Sequence, residues 1–256
     1  GGVETLLLVM RRVMRYGIGI GLPKIVPDPL FDLNTLIVQR DPFETKPLTI
    51  KDRQIYLDGL GDEPDWFQVW SLLSLYTGCR MGEAIGFQEH DFDFEKRTIQ
   101  IDRQVYKGIV RNPKFNSDRT IRMHSELLRV LPPYFEYLAF RRTLEGRENY
   151  SKWVLPSWII QEDLPMTPTT IATHYIDYLE RRKLERRRPH DLRHTVATLL
   201  LKSGVDIRTI SHILGHRDPG FTLKIYIHAL PKDLELAIEM LSHLDEKVNC
   251  PVCKRP

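Results

Sequence analysis

The chain is short of cysteine, lacks a phosphate-binding glycine loop and a metal-ligand cluster, and contains no long apolar run; each shortage removes a class of protein. Three cysteines in 256 residues cannot build a disulfide framework, and they point to a reducing compartment. Cys250 and Cys253 form CPVC, half of a zinc-ribbon ligand set whose other half is nowhere in the sequence. A loose reduced tail is expected there, with no bound metal. Without a glycine loop or a metal cluster, ATPase and metallonuclease chemistry are disfavoured and no cofactor is expected. The apolar start, ETLLLVMRRVMRYG, is too short and too interrupted by arginine to span a bilayer. It has no small-residue cleavage site, so neither a membrane anchor nor a signal peptide is expected. A Gly-Gly start without an initiator methionine suggests a piece of a longer chain. Charge of one sign is also modest: 37 Lys and Arg face 34 Asp and Glu, and a net charge of +3 does not identify a polyanionic partner.

The distribution of charge says more than its sum. Arg181, Arg182, Lys183, Arg186, Arg187, Arg188 and Arg193 crowd one segment, whereas Asp58, Asp62, Glu63, Asp65, Glu89, Asp91, Asp93 and Glu95 make an earlier one acidic. Beside the basic run stands RRPHDLRHT, followed by LGH at 214–216 and FTLKIYIH around Tyr226. His190 and Arg193 are three residues apart, so on a helix they leave from one face and can grip one ligand, which their charge predicts to be an anion. Arg80 in TGCRMGEAIGF and Lys114 in the turn-like NPKFNSDRT add positive charge from elsewhere. Two arginines, two histidines and a lysine around one tyrosine describe a site for attack on a phosphodiester.

Apolar Leu6, Leu7, Met10, Val13 and Met14 recur at helical spacing over 3–17, and the proline and glycine punctuation over 21–42 reads as a linker. A compact domain begins near Lys46. Helices are expected over 48–60 and 65–76, with a short one carrying Arg80 and Glu83. Alternation predicts strands over 97–103, 104–110 and 119–123, with Lys114 in the connection before the last. Helices follow over 125–142, 169–182, 191–203, 207–214 and 221–230. Leu234, Ala237, Ile238 and Leu241 give a final amphipathic helix. The expected fold class is α+β and mostly α, with a small antiparallel sheet of about three strands.

TGCRMGE, Lys114 followed by DRTIRM, PHDLRHT, LGH, and a tyrosine ten residues after His216 stand in series. In that order they resemble the catalytic domain of tyrosine recombinases of the phage integrase type, over roughly 46–244. The resemblance implies the last helix of a core-binding domain with its linker over 1–30, further linker over 31–45, the catalytic domain over 46–244 and a tail over 245–256. It implies site-specific cutting and rejoining of DNA for a mobile element or prophage, through a 3′-phosphotyrosyl intermediate. Tyr226 would be the nucleophile, and Arg80 and Arg193 would hold the non-bridging oxygens. His190 is the candidate base, His216 a phosphate donor and Lys114 the acid for the 5′ oxygen, with Lys107 its competitor. Glu83 is expected to brace Arg80, because a carboxylate beside a phosphate would repel it. Arg186, Arg187, Arg188 and Arg217 are expected DNA contacts. The implied partners are duplex attachment sites, a homotetramer on DNA that is a monomer without it, and accessory DNA-bending proteins; the implied setting is bacterial or phage-encoded, cytoplasmic and associated with the nucleoid. Two other readings are a type IB topoisomerase-like nicking and closing enzyme and a non-catalytic DNA-binding regulator on the same fold.

Overall fold

The structure is a computed structural model that describes residues 45–106, 108–113, 117–150, 152–157, 163–216 and 220. The chain divides into two units, 1–44 and 45–256, and every described residue belongs to the second. The helices expected over 3–17, 221–230 and 234–241 and the CPVC tail lie outside the described residues.

In chain order the helices are α1 (Ile50–Asp58), α2 (Asp65–Thr77), α3 (Met81–Gly86), α4 (Ser125–Leu144), α5 (Pro168–Arg181), α6 (His190–Lys202) and α7 (Ile207–Leu214). Their boundaries follow local chemistry. Thr49, Thr167 and Asp206 cap α1, α5 and α7 by accepting from backbone amides one turn on, and Pro168 occupies the first turn of α5, where a missing N–H costs nothing. Gly78 and Gly215 end α2 and α7 at φ +62° and +64°, the left-handed region that a side chain resists.

Helix α2 is the centre of the domain. Its sequence, DWFQVWSLLSLYT, is apolar on nearly every side, and it is accordingly buried between α4 and α6. Trp70 and Phe67 of α2 meet Tyr56 of α1 and Tyr175 and Tyr178 of α5 in one aromatic cluster, with ring centroids 4.9 Å apart for Tyr56–Tyr178 and 5.6 Å for Trp70–Tyr175. Two of the buried tyrosine hydroxyls there are satisfied, since Tyr56 and Ser71 share a 2.7 Å hydrogen bond and Tyr178 donates to the Tyr56 carbonyl, whereas the Tyr175 hydroxyl and Trp70 Nε1 have no partner among the described residues.

The strands depart from the expected layout. A three-stranded antiparallel sheet is present, but its members are β1 (Phe92–Asp93), β2 (Thr98–Ile101) and β5 (Arg119–Arg122), in the order β1–β2–β5. The segment expected as one strand over 104–110 is instead a separate hairpin, β3 (Gln104–Tyr106) with β4 (Ile109–Arg111). Gly108, at φ +74°, supplies its turn. The hairpin leaves the sheet because it packs on α3, where a Cβ on Gly82 would stand 2.7 Å from the Val105 carbonyl oxygen.

Leu73 is fully buried at the middle of α2. Leu73→Ala should cost about 2–5 kcal/mol in denaturant unfolding. A loss below about 1 kcal/mol would mean that α2 is not the helix around which the domain packs.

Candidate active site

Arg80, Glu83, His190, Arg193 and His216 come from three separate parts of the sequence, and the fold gathers them at the C-terminal end of α7. Arg80 immediately precedes α3, and Glu83 in the first turn of α3 accepts from the Arg80 amide at 2.9 Å and from its Nη1 at 2.7 Å. Arg80 Nη2 donates to the Gly215 carbonyl at 3.1 Å. Arg193, on the second turn of α6 and 3 % exposed, donates from Nη1 to the Gly78 carbonyl at 2.8 Å and from Nη2 to the Leu214 carbonyl. The two arginines therefore dock on adjacent carbonyls of one helix end, where unpaired C=O groups and the negative end of the helix dipole favour cations.

The turn after that helix end places His216. The Gly215 amide donates to the His212 carbonyl at 3.0 Å and the His216 amide to the Ser211 carbonyl at 2.9 Å, closing the helix and fixing the backbone of the histidine. At the other end, His190 opens α6. The first turn there is held by Asp191, which accepts from the Arg188 amide at 2.9 Å and from Arg188 Nη2 at 3.2 Å. His190 packs edge-on against His194, with centroids 5.0 Å apart.

One member of the site was not singled out from the sequence. Arg119, the first residue of β5, donates from Nη2 to Glu83 at 2.9 Å, from Nε to the Ile213 carbonyl at 2.7 Å and from Nη1 to the Ser117 carbonyl at 3.1 Å. A Cβ on Gly215 would lie 2.6 Å from its Nη1, so Gly215 is needed for this approach as well as for its backbone conformation. Glu83 is thus shared by two guanidinium groups. Burial raises its pKa, but the charge and hydrogen bonds of Arg119, then those of Arg80, outweigh burial and hold it below the ordinary carboxylate range.

The two histidines feel the surplus of positive charge. Partial burial first, then His194, Arg193, Arg80 and Arg188, lower His190 to about 4; burial, then Arg193, Arg80, Arg119 and His190, lower His216 to about 3. Both are neutral near pH 7, which leaves His190 able to accept a proton and His216 able to donate an N–H without carrying charge.

The remaining sequence expectations divide. Arg186 and Arg188 are exposed beside α6. Arg187, expected with them as a DNA contact, is buried and turned inward. It donates to the Lys46 carbonyl at 3.1 Å, to the Glu185 carbonyl at 3.1 Å and to Asp52 at 2.8 Å, which makes it a tether between α1 and the approach to α6. Lys107, Lys114, Arg217 and Tyr226 lie outside the described residues. Among the described residues no group of His, Cys, Asp and Glu could hold a metal ion.

The histidine shifts have a signed consequence. A histidine depressed in the folded state is protonated more readily when unfolded, so its contribution to stability is complete above pH ~6.5 and falls as pH drops toward the folded values. NMR titration should find both midpoints below the ordinary histidine range. Inorganic sulfate should raise both, because an anion offsets the arginines. Arg193→Met should raise both as well. Midpoints that ignore sulfate and Arg193 would rule out a common anion site.

Residues 49–233 match the model of the phage integrase family. Among curated proteins the chain is similar to the tyrosine recombinase XerC-like of Caldanaerobacter subterraneus subsp. tengcongensis, at 31 % identity over 189 residues, which is 68 % of this chain and 48 % of that protein. It is also similar to the transposase from transposon Tn916 of Enterococcus faecalis, at 28 % over 176 residues, 62 % of this chain and 41 % of that one. The chain thus spans about half the length of the curated relatives it matches. Among solved structures, the Tn1549 transposon integrase in complex with a circular intermediate DNA shares the fold with a TM-score of 0.63 and 21 % identity, covering 80 % of this chain and 68 % of that one. With the family match over most of its length and with Arg80, His190, Arg193 and His216 gathered at one helix end, the chain belongs to the phage integrase family of tyrosine recombinases.

Proposed function

We propose that the protein cuts and rejoins DNA at defined sites, in the integration or excision of a mobile element, by transesterification at Tyr226. One observation carries this reading: Arg80 and Arg193, distant in sequence, dock on neighbouring carbonyls with His190 and His216 beside them. Such a cluster suits a phosphodiester, whose non-bridging oxygens take paired N–H donors from planar cations that stay charged as the pentavalent transition state develops.

In the proposed step the Tyr226 oxygen bonds to phosphorus while the bond from phosphorus to the 5′ oxygen breaks. The phenol proton passes to His190, and Lys114 supplies a proton to the departing 5′ oxygen. A phenol has an ordinary pKa of ~10 and needs such a base near neutral pH. Entry of the phosphodiester raises the depressed His190 pKa and improves it as an acceptor. The phosphotyrosyl bond conserves the energy of the broken linkage, so rejoining consumes no ATP. Arg186, Arg188 and Arg217 are assigned to the DNA backbone.

Two duplexes exchanged in this way require four active sites, so the assembly on DNA is proposed to be a homotetramer that is monomeric without it, with accessory DNA-bending proteins in support. The setting is the cytoplasm of a bacterium or phage-infected cell, at the nucleoid; no described helix is long and apolar enough to cross a membrane.

The test uses a pool of nicked random-sequence duplexes and recovers any denaturation-resistant protein–DNA adduct. Wild-type chain should be captured on a restricted set of sequences, whereas Tyr226→Phe should bind DNA and yield no adduct. No wild-type adduct would leave a DNA-binding regulator, and adducts on all sequences would leave a topoisomerase-like enzyme. Arg80→Ala and Arg193→Ala should each slow adduct formation at least ~100-fold. Lys114→Ala should cleave the captured duplex poorly and recover when the 5′-bridging oxygen is replaced by sulfur, whose thiolate leaves without a proton. Rescue of Lys107→Ala in its place would move the acid to Lys107.

A further inference from the structure

We infer that Arg119 is a positioning residue of the phosphate site: it cancels the charge of Glu83, so that the carboxylate can orient Arg80 without neutralising it. The inference rests on the strand-cleavage reading above and deepens it.

The argument begins with a charge balance. Glu83 and Arg80 alone would form a neutral buried pair, complete in its hydrogen bonds, and such a pair would present a phosphate with little net attraction. A second buried guanidinium on the same carboxylate, 2.9 Å from Oε2, leaves the trio with a surplus positive charge. Folding repays that surplus only in part, through the α7 carbonyls and the helix dipole, since burying a cation near Arg80 and Arg193 is costly unless an anion answers it. A phosphodiester supplies the missing anion.

Arg119 touches all three carriers of the site, a reach it shares with Arg80 itself, which bonds Glu83, Ser117 Oγ and the Gly215 carbonyl. Through Glu83 it reaches Arg80; through the Ile213 carbonyl it reaches the helix end that bears Leu214, Gly215 and His216; through the Ser117 carbonyl it reaches the chain that follows Lys114. Its backbone does not drift, because β5 is paired with β2 at Arg119↔Ile101. Its side chain is 2 % exposed, so it does not itself meet DNA.

Arg119→Met and Arg119→Lys keep the length of the side chain and separate the possibilities. The readout is the rate of adduct formation on a duplex recovered by wild-type capture, compared in each variant with the same duplex carrying an uncharged methylphosphonate at the scissile position. The ratio of the two rates is taken within one protein sample, so a partly folded fraction cancels. Arg119→Met should lose at least ~100-fold on the phosphate and at least about tenfold less on the methylphosphonate, because the substrate charge that Arg80 must meet is gone. Arg80→Ala should show the same pattern. Arg119→Lys, which restores charge but cannot span three acceptors, should fall between wild type and Arg119→Met. A phosphate-to-methylphosphonate ratio equal to wild type in Arg119→Met would reduce Arg119 to a fold-holding residue and overturn the inference.

A second measurement keeps the two readings apart. If wild type forms no adduct on any duplex, the strand-cleavage reading fails, and the His216 titration in the absence of DNA decides Arg119. With Glu83 left uncompensated, Arg119→Met should raise the His216 midpoint; an unchanged midpoint overturns the charge balance.

Discussion

The domain's site depends on one helix end. The last three residues of the α7 turn, Ile213, Leu214 and Gly215, each offer a carbonyl, and each carbonyl is taken by a different arginine: Arg119, Arg193 and Arg80. An isolated helix leaves its final C=O groups to water. Here they are answered by three cations delivered from β5, α6 and the approach to α3, and the negative end of the helix dipole lowers the cost of bringing like charges together. The same contacts that finish α7 therefore build a patch of positive potential. Stability of the helix end and readiness for an anion are one arrangement.

Packing around the glycines makes this arrangement narrow. A Cβ on Gly78 would come within 2.8 Å of Leu214 Cδ2, and one on Gly215 within 2.6 Å of Arg119 Nη1. The ends of α2 and α7 thus run close to Leu214 and to the Arg119 guanidinium, on turns whose left-handed backbone glycine permits. Preorganisation of this kind matters because donors fixed before the charge develops need no rearrangement during the reaction.

Much of this was legible in the sequence, and the exceptions have physical causes. The apolar run over 65–76 and the spacing of His190 and Arg193 announced a helix in each place, and α2 and α6 are those helices. Arg119 was overlooked although alternation marks it: Arg119 and Ile121 are the inward members of β5, and a charge at an inward strand position needs a buried partner. The carbonyls of 213–215 could not be read, because backbone acceptors leave no trace in residue identity. Strand β1 is two residues long, below the reach of any periodicity, and the alternation of 104–110 is the same whether the chain runs straight or folds back at Gly108. Arg187 shows the converse error, in which a basic run read as DNA contacts hides one member that is structural.

That buried arginine also gives the domain a mechanical character. The chain enters at residues 45–48 and is immediately sewn to the neighbourhood of α6: the Lys46 carbonyl accepts from Arg187, the Lys46 ammonium pairs with Glu185, and the Leu48 amide donates at 2.8 Å to Thr195 Oγ1. Thr195 in turn donates to the Asp191 carbonyl at 2.8 Å, one residue after His190. Tension applied to the chain at its point of entry is borne first by bonds that lead to the helix carrying His190 and Arg193. The entry segment is thereby coupled, through Thr195 and the Asp191 carbonyl, to the turn beside the proposed proton acceptor.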